Sequence, residues 1–308
     1  MNRNNALNPC RVCPRNCGVD RAGGETGFCG LDHRLHISWA GLHQGEEPMF
    51  SGPGGTANFF FTSCNLACVY CQNWQISQQG LADSVCTPEE FAQKALELEA
   101  AGAGFLGLVS PSHQVPQVRE ALVYAKKAGV SLPVLYNSSA YDSMEMLKSL
   151  DGLVDVYLPD LKYSNNALAE KYSQAPGYVE AAREAVLEMH RQTGDMDIDP
   201  GTGMARRGVW VRLLVLPGGV SGLWESLCFL ALEVSTGIGL SIMSQYSPLH
   251  RASEFPEINR TITQEEYDQA VGMAEDLGFK LILTQDPEES PENAVPDFTD
   301  ENKPFASF

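Results

Sequence analysis

From residue 57 onward, short apolar runs alternate with longer stretches of helical periodicity, and this alternation narrows the available folds more than any other feature. The apolar runs lie at 57–61, 104–109, 132–136, 153–157, 208–215 and 238–243, with a seventh at 279–283. Helical stretches fill the intervals at 114–128, 141–150, 165–175, 178–192, 221–234 and 263–277. The clearest helix start is Thr87-Pro88-Glu89-Glu90, which supplies an N-cap, a proline at the first helical position and a capping-box glutamate. Strands separated by helices pair in parallel through crossover connections. The expected fold is therefore α/β, a partial (β/α)6 TIM-like barrel, with a doubly wound sheet as the alternative. Both place their chemistry at the carboxyl ends of the strands.

The end of the first of these strands is rich in sulfur. Directly after Ala57-Asn58-Phe59-Phe60-Phe61 come Cys64, Cys68 and Cys71, spaced C-x3-C-x2-C. Thiolates are soft ligands that select iron–sulfur clusters, zinc or Cu(I). A closed structural zinc site or an ordinary cubane takes four protein ligands, and this loop offers three. A site with three ligands keeps one metal position open, as catalysis requires. The competing reading is three incidental buried cysteines.

A second set precedes the barrel. Cys10, Cys13, Cys17 and Cys29 are spaced C-x2-C-x3-C-x11-C among glycines that leave little room for helix or strand. A core-poor segment of this kind needs a staple, and four thiolates complete either a tetrahedral zinc site or a closed [4Fe-4S] cluster. Zinc modules usually pair two C-x2-C knuckles and only one is present, so the cluster is preferred. The expected organisation is a Cys-rich metal module and adaptor over 1–50, the barrel over 51–285 and an extended acidic tail over 286–308. Within the adaptor, His43, Glu46 and Glu47 are either metal ligands or residues that pack near the cluster loop.

Composition sets outer limits. Residues are 44% apolar, enough for a sizeable core, yet no run approaches the ~20 apolar residues of a membrane span. The N-terminus has no apolar signal region. Nine cysteines without such a signal point to metal binding in a reducing cytoplasm. A formal charge of −18 opposes nucleic acid and anionic lipid as partners.

The loop C-x3-C-x-Tyr-C, continued by Gln72-Asn73, resembles the cluster loop of radical S-adenosylmethionine (SAM) enzymes. In particular it resembles the pyruvate formate-lyase activating-enzyme group and its PflX-like branch. Asp160-Leu161-Lys162, the R-x-x-x-x-P-G pattern from Arg212 to Gly218 and H-x-G-E-E-P at 43–48 strengthen the likeness. The resemblance implies that Cys64, Cys68 and Cys71 hold a [4Fe-4S] cluster whose fourth iron takes the amine and carboxylate of SAM. One electron then yields methionine and a 5′-deoxyadenosyl radical that abstracts hydrogen. Where the group carries G-G-E for the SAM amine, this chain has Ser110, Ser112 and His113 in the strand-end turn, with His113 in place of the acid. Asn137 is expected at ribose hydroxyls, and Asp160 and Lys162 beside SAM. Arg212 interrupts an apolar strand and is expected to take the SAM carboxylate. Gln245 is expected at the mouth, near Tyr246 and His250.

The implied activity is hydrogen abstraction from an unidentified substrate, either as a glycyl-radical-enzyme activase or in the modification of another protein, peptide or small molecule. A flavodoxin- or ferredoxin-like donor and a protein substrate are the implied partners. A non-catalytic iron–sulfur scaffold or electron-transfer protein is the alternative from another class.

Overall fold

The computed structural model describes residues 6–286, 295–300 and 304–305. Its strands, in chain order, are β1 (Leu35–His43), β2 (Thr56–Phe61), β3 (Ser84–Cys86), β4 (Phe105–Val109), β5 (Val134–Ser138) and β6 (Val156–Pro159). They continue as β7 (Asp197–Ile198), β8 (Ala205–Leu214), β9 (Gly239–Met243) and β10 (Leu281–Thr284). Among the described residues the sheet runs β10-β9-β8-β6-β5-β4-β2-β1-β3, with β7 paired to β8. From β2 to β10 every pairing on that path is parallel, and each strand joins the outer side of its predecessor. A doubly wound sheet would reverse direction at a switch point. None occurs along this path, so the architecture is a TIM-like barrel left open between β2 and β10.

All residues of β2, β4 and β6 are buried, as expected of parallel strands covered on both faces. Helices pack on the outer face: α1 (Pro88–Ala100), α2 (Val115–Ala128), α3 (Met144–Ser149), α4 (Asn166–Ser173), α5 (Tyr178–Thr193), α6 (Leu223–Phe229) and α7 (Gln264–Asp276). α1 begins with the expected capping box, Thr87 accepting from Glu90 N and Glu90 accepting from Thr87 N, and buries Phe91, Ala92, Ala95 and Leu98 on one stripe. α7 repeats the device with Thr263 and Glu266. The stretch expected as one helix over 221–234 instead ends its α-helical part at Phe229 and passes into a π-helical turn over Leu230–Val234.

The adaptor is part of the sheet. β1 pairs antiparallel with both β2 and β3. Leu7, Val12 and Leu35 share one buried cluster with Phe59 and Leu108. Most of the expected tail lies outside the described residues. The described pieces pack inward, Phe298 being buried against Phe60 at 5.6 Å between ring centroids.

Candidate active site

The chain leaves β2 through Thr62 and Ser63, the latter with φ +69°. The loop that follows is tied to the end of α4, Ala67 N donating to Ser173 O (3.0 Å) and Val69 N to Tyr172 O (2.8 Å). These bonds aim Cys64, Cys68 and Cys71 into a cavity of about 160 Å³ at the carboxyl ends of the strands. Its other walls include Ser110 after β4, Asn137 in β5, Asp160 and Lys162 after β6, Arg212 in β8 and Gln245 after β9. The sheet pairs Val109 with Asn137, Asn137 with Leu158, and Asp160 with Arg212, which brings these distant positions to one level.

Each of the three sulfurs has a hydrogen-bond partner. Leu66 N donates to Cys64 Sγ at 3.3 Å and Ser173 Oγ to Cys68 Sγ at 3.0 Å, while Ser77 Oγ lies 3.3 Å from Cys71 Sγ. Burial, reinforced by the neighbouring Cys68, pushes the Cys64 thiol up to about 12 and the Cys71 thiol up to about 11. Burial raises Cys68 as well. A cationic centre would supply the positive charge that burial withholds, and it would release protons on binding. Among the described residues the cavity wall carries no fourth cysteine and no histidine. Among the described residues no three His, Cys, Asp or Glu side chains converge on a single-ion site. A trio of separated, hydrogen-bonded sulfurs around a cavity fits a multi-iron cluster with one vacant corner better than a mononuclear metal.

Lys162 Nζ pairs with Asp160 at 2.8 Å. Burial alone would lower its pKa, but Asp160 and Cys68 outweigh that and raise it. Arg212 departs from expectation. Its Nε donates to Glu47 Oε1 at 2.8 Å, and its Nη2 reaches both Glu47 Oε2 (2.6 Å) and Glu46 Oε2. Two buried carboxylates therefore occupy the guanidinium that was expected to take a SAM carboxylate. The network extends through Asn58 Nδ2 to Glu46 (2.8 Å), Ser241 Oγ to Glu47 (2.8 Å) and Trp210 Nε1 to Ser241 (2.7 Å). Glu46 and Glu47 thus serve as counter-ions, and metal ligation by them with His43 has no convergent geometry.

Ser112 and His113 also depart. Ser110 lines the cavity with φ +60°, but the next turn carries Ser112 and His113 into the interior, away from its wall. His113 Nε2 donates to Thr62 O at 2.8 Å, and burial lowers its pKa to about 3, so the ring is neutral. Its neighbour Gln114 brackets the backbone of His36 from both sides. This turn supports β1 and β2 from below.

A buried hydroxyl relay was not foreseen. Tyr70 Oη lies 2.6 Å from Tyr163 Oη, which lies 2.7 Å from Ser173 Oγ, the donor to Cys68. Its members are spread over three segments, and only Tyr70, as the aromatic of the cysteine loop, carried a sequence signal.

A second chamber of about 370 Å³ shares Gln72, Asn137, Arg212 and Gln245 with the first. Its walls include Phe60 of β2 and Leu283 of β10, so it occupies the open seam of the barrel. Pro296 and Phe305 also line it, and Phe305 lies 4.3 Å from the His43 ring.

Comparison with known proteins decides the family. Residues 58–218 match the Radical SAM superfamily. The chain belongs to the radical SAM superfamily. Uncharacterized protein MJ0674 of Methanocaldococcus jannaschii is 30% identical over 90% of this chain and 78% of its own length. Uncharacterized protein MJ0808 of the same organism is 24% identical, over 89% and 79% respectively. Among solved structures, Streptococcus suis SuiB bound to the precursor peptide SuiA aligns with TM-score 0.51 and 8% identity, covering 73% of this chain and 47% of that one. The FeFe-hydrogenase maturase HydG of Carboxydothermus hydrogenoformans aligns with TM-score 0.50 and 12% identity, covering 74% and 53%. This radical SAM chain spans about half the length of those structures, and at such identity they show a shared fold. Membership makes the protein an enzyme and implies a [4Fe-4S] cluster and SAM as its cofactors. No helix among the described residues is long and apolar enough to cross a membrane.

Proposed function

We propose that this radical SAM enzyme holds its cluster on Cys64, Cys68 and Cys71, binds SAM in the inner cavity and takes hydrogen from a substrate seated in the seam. The observation that carries this reading is that the sulfur-lined cavity adjoins the larger seam chamber, the two sharing wall residues. When bound, the cluster and SAM together supply a primary carbon radical, and that chemistry belongs to the cofactors. The chain contributes position and charge. Asn137 offers a donor and an acceptor suited to ribose hydroxyls. Lys162 shares only one carboxylate, whereas Arg212 shares two, so Lys162 is the better counter-charge for a SAM carboxylate. Ser110 and Gln245 line the cavity as further polar contacts.

The seam opens sideways rather than down a closed barrel, which favours a protein or peptide substrate. SuiB, whose structure contains a precursor peptide, shares this fold. Activation of a glycyl-radical enzyme, as the activating-enzyme and PflX-like resemblance implies, is one form of that reading. The electron would come from a flavodoxin- or ferredoxin-like donor. Nine unpaired cysteines and such a cluster suit a reducing cytoplasm. The test is anaerobic reconstitution with iron, sulfide, SAM and dithionite. Release of 5′-deoxyadenosine is expected, and an intact cluster that never releases it would favour an electron-transfer scaffold.

A further inference from the structure

Among the described residues, 6–34 carry two cations that no carboxylate answers, Arg21 buried and Arg15 half-buried. Arg21 is 1% exposed, and its guanidinium meets only carbonyl oxygens: Asp32 O from Nε (3.0 Å) and Nη2 (2.6 Å), and His113 O from Nη1 (2.8 Å). Arg15 donates from Nε to Asn65 O at 2.8 Å, and its Cζ lies over the Phe28 ring, 3.4 Å from the centroid. Its Nη2 is buried without a hydrogen-bond partner. Among the described residues neither arginine has an ion pair, whereas the buried Arg212 has two. A buried charge without a counter-charge is costly, and such a group points to an anion.

The anion these arginines face is sulfur. Cys13 lies within electrostatic reach of Cys10, Cys17 and Cys29, and Cys29 of Cys10 and Cys17; Arg21 acts on Cys29, while Arg15 faces Tyr141 first and then Cys13, Cys17 and Cys64. The backbone presses on the same point. Phe28 N reaches Cys17 Sγ at 3.5 Å, and a Cβ on Gly27 would stand 2.8 Å from that sulfur. Four thiolates around a doubly charged metal core make a dianion, and two guanidinium charges balance it. Zinc modules usually pair two C-x2-C knuckles, and these cysteines supply only one. A cubane places one thiolate on each of four irons and so spreads them apart.

We infer that Cys10, Cys13, Cys17 and Cys29 hold a closed [4Fe-4S] cluster, second to the one at Cys64, Cys68 and Cys71, with Arg15 and Arg21 as its counter-ions. The two centres are structurally joined. Ser63 Oγ donates to Cys29 O at 2.5 Å, and Arg15 reaches the carbonyl of Asn65 inside the other cysteine loop.

The test is metal and sulfide analysis of anaerobically prepared full-length protein. Wild type should hold about eight irons and eight sulfides per chain, and the Cys64/Cys68/Cys71→Ala variant about four of each. Zinc in place of the second set of irons, or no metal at the N-terminal cysteines, overturns the inference. Should the triple variant fail to fold, the wild-type count decides alone. In the triple background, Arg15→Lys should keep its iron and Arg15→Gln should lose more than half of it. Equal retention by both overturns the charge-balancing role. A wild-type chain with about four irons that still releases 5′-deoxyadenosine overturns the second cluster while sparing the proposed activity.

Discussion

Arg212 sits inside a strand of the sheet and shares its guanidinium between two carboxylates. An arginine inside a buried strand must have an anion, and the sequence signalled that much. The anions come from Glu46 and Glu47, more than 160 positions away, in a loop whose aim only the fold reveals. Removing the guanidinium would strand both carboxylates. Arg212→Met is expected to cost about 3–5 kcal/mol in urea unfolding, and the double change Glu46→Gln with Glu47→Gln in that background should restore part of it. His113 takes the place in the chain of a cofactor-binding acid, and the turn after Ser110 buries it in the interior, off the cavity wall. The three cysteines that line the cavity were legible because their spacing is local. The donor to Cys68 was not, because Ser173 is distant in sequence. Hydrogen bonds to cluster sulfurs favour the more negative, reduced state. Ser173→Ala should therefore lower the cluster's midpoint potential, by up to about 59 mV for a tenfold shift in a one-electron equilibrium. An EPR-monitored redox titration reads this without turnover.

At the scale of elements, the long parallel strands were visible as uninterrupted apolar runs, and all seven expected strands exist within a few residues of their expected ends. What escaped was short or structurally mixed. β3 and β7 are three and two residues long, too brief for any periodicity. β1 runs on to His43 because its second half is held by pairing with β2 rather than by its own pattern. Helix starts were more legible than helix ends, since a capping box is written in four adjacent residues. Thr87→Ala removes one half of that box and should cost about 1 kcal/mol in denaturant unfolding, with Thr87→Ser close to neutral. The π-helical turn after α6 had no counterpart in the sequence pattern.

At the scale of the molecule, the sheet does not close among the described residues, and side chains carry part of what backbone pairing would do in a full barrel. Glu46 and Glu47 reach from the loop after β1 to Asn58 on β2, Arg212 on β8 and Ser241 on β9, spanning the interior. Burial alone would raise the Glu47 pKa, but Arg212 outweighs it and holds the carboxyl below the usual glutamate range. A depressed folded-state pKa contributes stability that is complete above the unfolded value near ~4.3 and is lost as pH falls through the folded value. Urea midpoints should therefore show no loss from this group between pH 7 and about 5 and a decline below about 4. In Glu47→Gln that decline should be shallower.

Three successive parallel strands, β2, β4 and β5, leave the sheet through residues with positive φ that are not glycine: Ser63 at +69°, Ser110 at +60° and Ala140 at +58°. Left-handed backbone costs a residue with a β-carbon roughly 1–2 kcal/mol. Glycine would relieve that cost, and it holds left-handed turns elsewhere in the chain, as at Gly129 after α2. At position 63, however, glycine would forfeit the hydroxyl bonded to Cys29. The rim of the cavity is therefore where improving thermal tolerance and preserving function pull apart, and a stabilising programme guided by backbone ease alone would start by erasing it.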